Sequence, residues 1–148
     1  MAIDFSFPEE IEFILQKVRD YMDQVVRPAE KIIEENEDDR QTLVEQIIEM
    51  RKAAKQWGLW LPHMPEEVGG MGLGHVAMAA VAAEAAKTRF GPFALNAQAP
   101  DEGNMHTLLH WATEAQKQEY LKPLCEGRAR SCFAMTEPEV AGSDPTLI

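Results

Sequence analysis

Apolar residues recur every three or four positions near the start of the chain, at Ile11, Ile14, Leu15, Val18, Tyr21, Met22, Val25 and Val26. That spacing puts them on one stripe of an amphipathic helix. Ser6-Phe7-Pro8-Glu9 reads as a capping box with proline in the first turn, so the helix is expected to start there. Pro28 removes a backbone donor and is expected to kink or restart the helix, which continues through Ile32 and Ile33. The acidic run from Glu34 to Asp39 has no apolar anchor and no glycine to turn its carboxylates inward, and reads as a solvated connection. Leu43, Val44, Ile47, Ile48, Ala54 and Trp57 then mark a second amphipathic helix, stopped by Gly58.

A glycine-rich loop runs from Gly58 to Gly74. No strand precedes its glycines, the full G-x-G-x-x-G spacing is absent and no Lys-Ser/Thr follows, so it reads as a structural turn, not a phosphate cradle. The third helix, His75 to about Lys87, carries seven alanines on more than one face and is expected to be the central helix. A fourth begins near Asp101, a candidate N-cap. Thr113-Glu114-Ala115-Gln116 forms a second capping box before a fifth helix, expected to bury Tyr120, Leu121 and Leu124 and to end around Pro123 to Gly127. Cys132 to Met135 is an apolar run long enough for a strand and too short for a helix, and Pro138 with Gly142 then turns the chain. The pattern predicts an all-α, up-and-down bundle of about five helices followed by a first strand.

Composition narrows the partners. Hydrophobic residues make up 45% of the 148, enough for one domain with a sizeable core. Asp plus Glu outnumber Lys plus Arg by 25 to 14, and the net charge of −11 argues against nucleic acid or an anionic membrane as partner. The longest apolar run, Val76 to Ala83, is far short of a bilayer span, and the N-terminus lacks a signal-peptide pattern, so a cytoplasmic location is expected. Cys125 and Cys132 are most simply reduced thiols.

Candidate chemistry gathers at the C-terminal end. Thr136 offers a hydroxyl where the strand stops, and Gly142 and Ser143 offer backbone N–H groups in a turn that a phosphate could approach. Phe133-Ala134-Met135-Thr136-Glu137-Pro138, followed by Gly142-Ser143-Asp144, closely resembles the flavin-binding signature of the acyl-CoA dehydrogenase family. Four residues, Glu139 to Gly142, separate Pro138 from Ser143, where the commonest family pattern has three. This longer form is similar to one subgroup, which Ala99-Pro100-Asp101-Glu102-Gly103-Asn104-Met105 also resembles. Pro65 to Gly72 and Gln116 to Leu124 resemble further family segments, so the likeness covers nearly the whole chain.

The resemblance implies an N-terminal helical domain over 1–128 and the start of a middle β-domain over 129–148, as the N-terminal part of a longer flavoenzyme. By position it assigns FAD binding to Phe133, Met135, Thr136, Gly142 and Ser143, with Ser143 also beside the acyl-CoA. Met105, Leu108 and Leu109 fall where the family lines its acyl-chain pocket, although core packing is the commoner role for such residues. The implied reaction is α,β-dehydrogenation of a fatty acyl-CoA thioester, with electrons passed to an electron-transfer flavoprotein by a dimeric or tetrameric enzyme. The family's carboxylate base lies in its C-terminal domain, so no catalytic residue is assigned here. FAD and CoA are anions, so their cationic partners must be local or lie elsewhere. A non-catalytic helical interaction module is the alternative.

Glu102, His106 and His110 form a rival constellation, spaced by four on one helical face. A His-x-x-x-His pair can bind zinc, but Thr107 stands where a metalloprotease has Glu, and no fourth ligand is evident. A polar face without a metal is the expectation.

Overall fold

The computed structural model describes residues 6–134 together with Thr136, Pro138 and Thr146. Five long helices, one single-turn helix and a short 3-10 turn at Glu66–Val68 account for the regular structure among them, and no strand occurs there. The first helix, α1, spans 9–35 without a break. Pro8 takes its N-cap position, two residues later than the Ser6 cap expected from the sequence. Pro28 neither ends nor restarts the helix. A π-helical segment, Met22–Val26, widens the turn before it, with the Arg27 N–H reaching back five residues to the Met22 carbonyl. The extra residue accommodates the proline ring, which would otherwise crowd the preceding turn. The last helix repeats the device, with a π segment at Lys117–Leu121 placed before Pro123.

The second helix, α2 (Arg40–Gln56), is started by Asp39, whose carboxylate accepts from the Gln41 N–H at 2.9 Å. Of its expected apolar face, Ala54 is buried and Leu43, Ile47 and Trp57 pack partly buried against the core, with Met50 and Arg51 joining them, whereas Val44 and Ile48 are exposed. Helix α3 (His75–Ala85) is not central. It buries only Ala77, Val81 and Ala85, one face packed mainly on α1, and Val76 is 63% exposed. The single-turn α4 (Gly91–Ala94) precedes α5 (Asp101–Trp111), and the Thr113–Gln116 capping box forms as expected at the start of α6, which spans 114–125. In α6, Leu121 and Leu124 are buried as expected, but Tyr120 is half exposed.

The centre of the molecule is a non-helical segment, 59–64. All six of its residues are buried, and Leu59 and Leu61 have no exposed surface. An irregular segment inside a core must place its backbone groups individually. The Leu61 N–H donates to the Leu95 carbonyl at 3.0 Å, the Met71 N–H donates to the Leu61 carbonyl at 3.1 Å, and the Trp60 indole N–H donates to the Cys125 carbonyl at 2.8 Å. The glycine-rich stretch after it is a turn, with Gly69 at φ 87° and Gly72 at φ 62°, conformations that favour glycine.

A polar knot ties this segment to the helices. Asn96 is buried at φ 57°, its side-chain oxygen accepting from Arg51 at 2.8 Å and its amide donating to the Leu124 carbonyl at 3.0 Å. Arg51 is itself buried, bonds the Phe93 carbonyl and lies 4.8 Å above the Trp60 ring. Burial, and next the Arg130 charge, draw its guanidinium down to about 10, which leaves it protonated at neutral pH. Asn96→Ala removes both side-chain bonds and puts an alanine at positive φ. It should destabilise the chain by about 2–4 kcal/mol in urea unfolding, and a loss under about 1 kcal/mol would show that the knot is dispensable.

Candidate functional site

Asp101 is the first residue of α5 and is 1% exposed. Capping is not its role: Pro100 holds the N-cap position, and no side chain caps the helix. Its carboxylate instead receives the chain thirty residues later. Oδ1 accepts from the Ser131 N–H at 2.7 Å and the Ser131 hydroxyl at 2.6 Å. Oδ2 accepts from the Gln98 amide at 2.9 Å and pairs with the Arg130 guanidinium. Burying a carboxylate costs several kcal/mol unless donors surround it, and these four donors meet that condition. Asn104 adds a 2.8 Å bond to the Ser131 hydroxyl, and Arg130 stacks over the Phe93 ring at 4.3 Å. Gly127 makes the turn toward this clamp at φ 73°, where a Cβ would fall 2.8 Å from the Trp60 ring.

The clamp therefore fixes the residues that lead into the flavin-like signature. Phe133 follows, 55% exposed, with its ring over Gly103, where an added Cβ would lie 3.6 Å from the ring edge. Thr136 is exposed as well. Met135, Gly142 and Ser143 lie outside the described residues.

The three residues expected near a substrate tail part company. Met105 is fully buried, its sulfur 3.8 Å from the Cys125 thiol. Leu108 lines a cleft of about 340 Å³ with Asn104, Tyr120 and Ser131, next to the clamp. Leu109 lines a different cleft of about 520 Å³, with Lys117 and Cys125. Of the two thiols, Cys125 is buried and Cys132 exposed, and burial pushes the Cys125 thiol up to about 11. Such a thiol is an inert packing group.

On another face of α5 the expected histidine row is rearranged. His106 Nε2 lies 3.2 Å from Nδ1 of His63, in the buried central segment, while the second ring nitrogen of His63 sits 3.0 Å from the Asn96 carbonyl. Ligand atoms of His63, Glu102 and His106 all fall within 4.8 Å of one another. His110 stacks beyond His106, with ring centroids 6.4 Å apart. Burial holds the His63 imidazole below its usual pKa. Periodicity finds Glu102 and His106, but nothing local pairs them with His63.

Comparison with known proteins agrees with this architecture. The sequence model for the acyl-CoA dehydrogenase N-terminal domain matches residues 8–128, and the chain belongs to the acyl-CoA dehydrogenase family. It is 43% identical over 142 residues to acyl-CoA dehydrogenase family member 11 of Gallus gallus, covering 90% of this chain. The Homo sapiens member 11 is 40% identical over 144 residues, covering 91%. This chain spans 18% of the length of each of those relatives. A solved structure described as an acyl-CoA dehydrogenase from Mycobacterium abscessus superimposes with a TM-score of 0.83 at 31% identity, covering 95% of this chain and 37% of its own. No helix among the described residues is long and apolar enough to cross a membrane.

Asp101→Asn keeps the size of the side chain but replaces an acceptor-only carboxylate with an amide. It should cost about 1–3 kcal/mol and release the Arg130–Ser131 segment. Tryptic cleavage after Arg130 should then be faster than in the wild type, and equal cleavage rates would contradict the clamp.

Proposed function

We propose that this chain forms the N-terminal helical domain and the leading part of the flavin-binding segment of an FAD-dependent acyl-CoA dehydrogenase, with 1–128 and 129–148 belonging to successive domains. The reaction is α,β-dehydrogenation of a fatty acyl-CoA thioester. The carrying observation is the Asp101 clamp, which spends a buried carboxylate on holding the residues just before the signature. Family membership supports the same reading.

Phe133 and Thr136 fit a flavin site, because both are exposed and neither is committed to the core. In this proposal the Thr136 hydroxyl and the Met135 backbone bond the flavin edge, Phe133 flanks it, and Gly142 and Ser143 serve the pyrophosphate and the acyl-CoA. FAD, when bound, supplies the acceptor for the hydride leaving the substrate. Leu108 lines the cleft beside the clamp and is the best placed of the apolar candidates for a substrate tail, with Met105 behind it in the core; Leu109 contributes on its own side of α5. The catalytic base is assigned to none of this chain's carboxylates. An electron-transfer flavoprotein as acceptor, a homo-oligomeric enzyme and a cytoplasmic location complete the proposal.

The experiment is flavin retention and acyl-CoA-dependent reduction of a dye acceptor. The 148-residue chain alone should show no turnover, and measurable turnover would place the machinery differently. In a protein of full family length containing this segment, Thr136→Val should weaken FAD binding by about tenfold, the loss of one hydrogen bond, with the fold intact. Unchanged FAD affinity would refute the assignment of Thr136. A full-length protein that stays colourless and binds a protein partner would favour the interaction module.

A further inference from the structure

The strongest unassigned feature is the cluster of His63, Glu102 and His106. Its protonation pattern follows from hydrogen bonding alone. His63 Nε2 lies 3.0 Å from the Asn96 carbonyl, an acceptor without a proton, so Nε2 carries the hydrogen and donates it. His63 Nδ1 is then left with a lone pair, and that lone pair faces His106 Nε2 at 3.2 Å. Without a metal, His106 fills the gap by donating its own N–H.

The same geometry suits a cation. Two nitrogens bound to one tetrahedral Zn²⁺ at about 2.0–2.1 Å stand about 3.3–3.4 Å apart, close to the observed separation. Glu102 precedes His106 by one helical turn on the same face, and its carboxylate is within 4.8 Å of both ring nitrogens. His63 also has the outer support expected of a metal ligand, because its second nitrogen bonds a backbone carbonyl whose residue is itself locked by Arg51 and by the Leu124 carbonyl. Glu102 and His106 are only partly buried, so an ion has a path in and water can complete the coordination.

We propose that His63 Nδ1, His106 Nε2 and the Glu102 carboxylate bind a divalent transition metal of the Zn²⁺ type, with a fourth position left to water. Zn²⁺ replaces the ring-to-ring hydrogen bond from a position off the line joining the two nitrogens, and His106 moves its proton to Nδ1. Two imidazoles and a carboxylate favour such a metal over Ca²⁺ or Mg²⁺, which prefer all-oxygen sites.

Isothermal titration of the tag-free chain with Zn²⁺ alone, with circular dichroism as a fold control, tests this. The expected result is a bound Zn²⁺ whose affinity drops about tenfold or more in His106→Ala and in Glu102→Gln, while Cys132→Ser, lacking the exposed thiol, binds as the wild type does. Glu102→Gln is the decisive variant, because it leaves the ring-to-ring hydrogen bond in place and removes only a metal ligand. Absence of Zn²⁺ binding to the wild-type chain, or binding that survives both substitutions, would overturn the proposal.

Discussion

The Asp101 carboxylate is buried in the wall of a helical domain, and most of its donors arrive from a segment about thirty residues further on. Left without Ser131 and Arg130, the charge would keep only the Gln98 amide, and water would have to enter to solvate it. The need to satisfy that one group decides where the chain goes after α6. It accounts for the tight turn at Gly127 against Trp60, for the hydroxyl at Ser131 and for the cation at position 130. The residues entering the flavin-like signature thus leave the helical domain from a fixed point.

That point is fixed because what lies beneath it is fixed. The buried segment 59–64 has no ladder of its own, and Asn96 substitutes for one. Its side chain links Arg51 on α2 to the end of α6, and its backbone carbonyl orients His63. The left-handed conformation of Asn96 lets one residue serve three elements, and asparagine tolerates it better than most. Trp60 completes the connection by bonding Cys125 at the base of the turn that leads to the clamp. The clamp and the histidine cluster therefore rest on one support, and α5 carries a part of each.

Much of the fold was legible in the sequence where the signal is local. The stripe from Leu15 to Val26, the capping box at Thr113 and the turn glycines depend on neighbours within a few residues, and each was readable there. What escaped depended on distant partners. Asp101 has the side chain of a capping residue at the start of a helix, and only its contact with Ser131 reveals the other use. His63 sits 43 residues from His106, so α5 alone suggested His110 in its place. The π segments before Pro28 and Pro123 have no periodic signature, and a proline rule that assumes α geometry predicts a break that the wider turn removes. Val44 and Ile48 are apolar at helical spacing yet exposed, because the interior chose the Met50–Ala54 side of α2.

The helices themselves hold the entrance to the flavin-like segment, through the buried Asp101 carboxylate. Amide hydrogen exchange at Ser131 measures this directly, since that N–H has the Asp101 carboxylate as its acceptor at 2.7 Å. Ser131 is expected to exchange far more slowly than an unstructured amide, with protection comparable to that of the α5 core. Exchange of Ser131 at the rate of a free peptide, with α5 still protected, would contradict it.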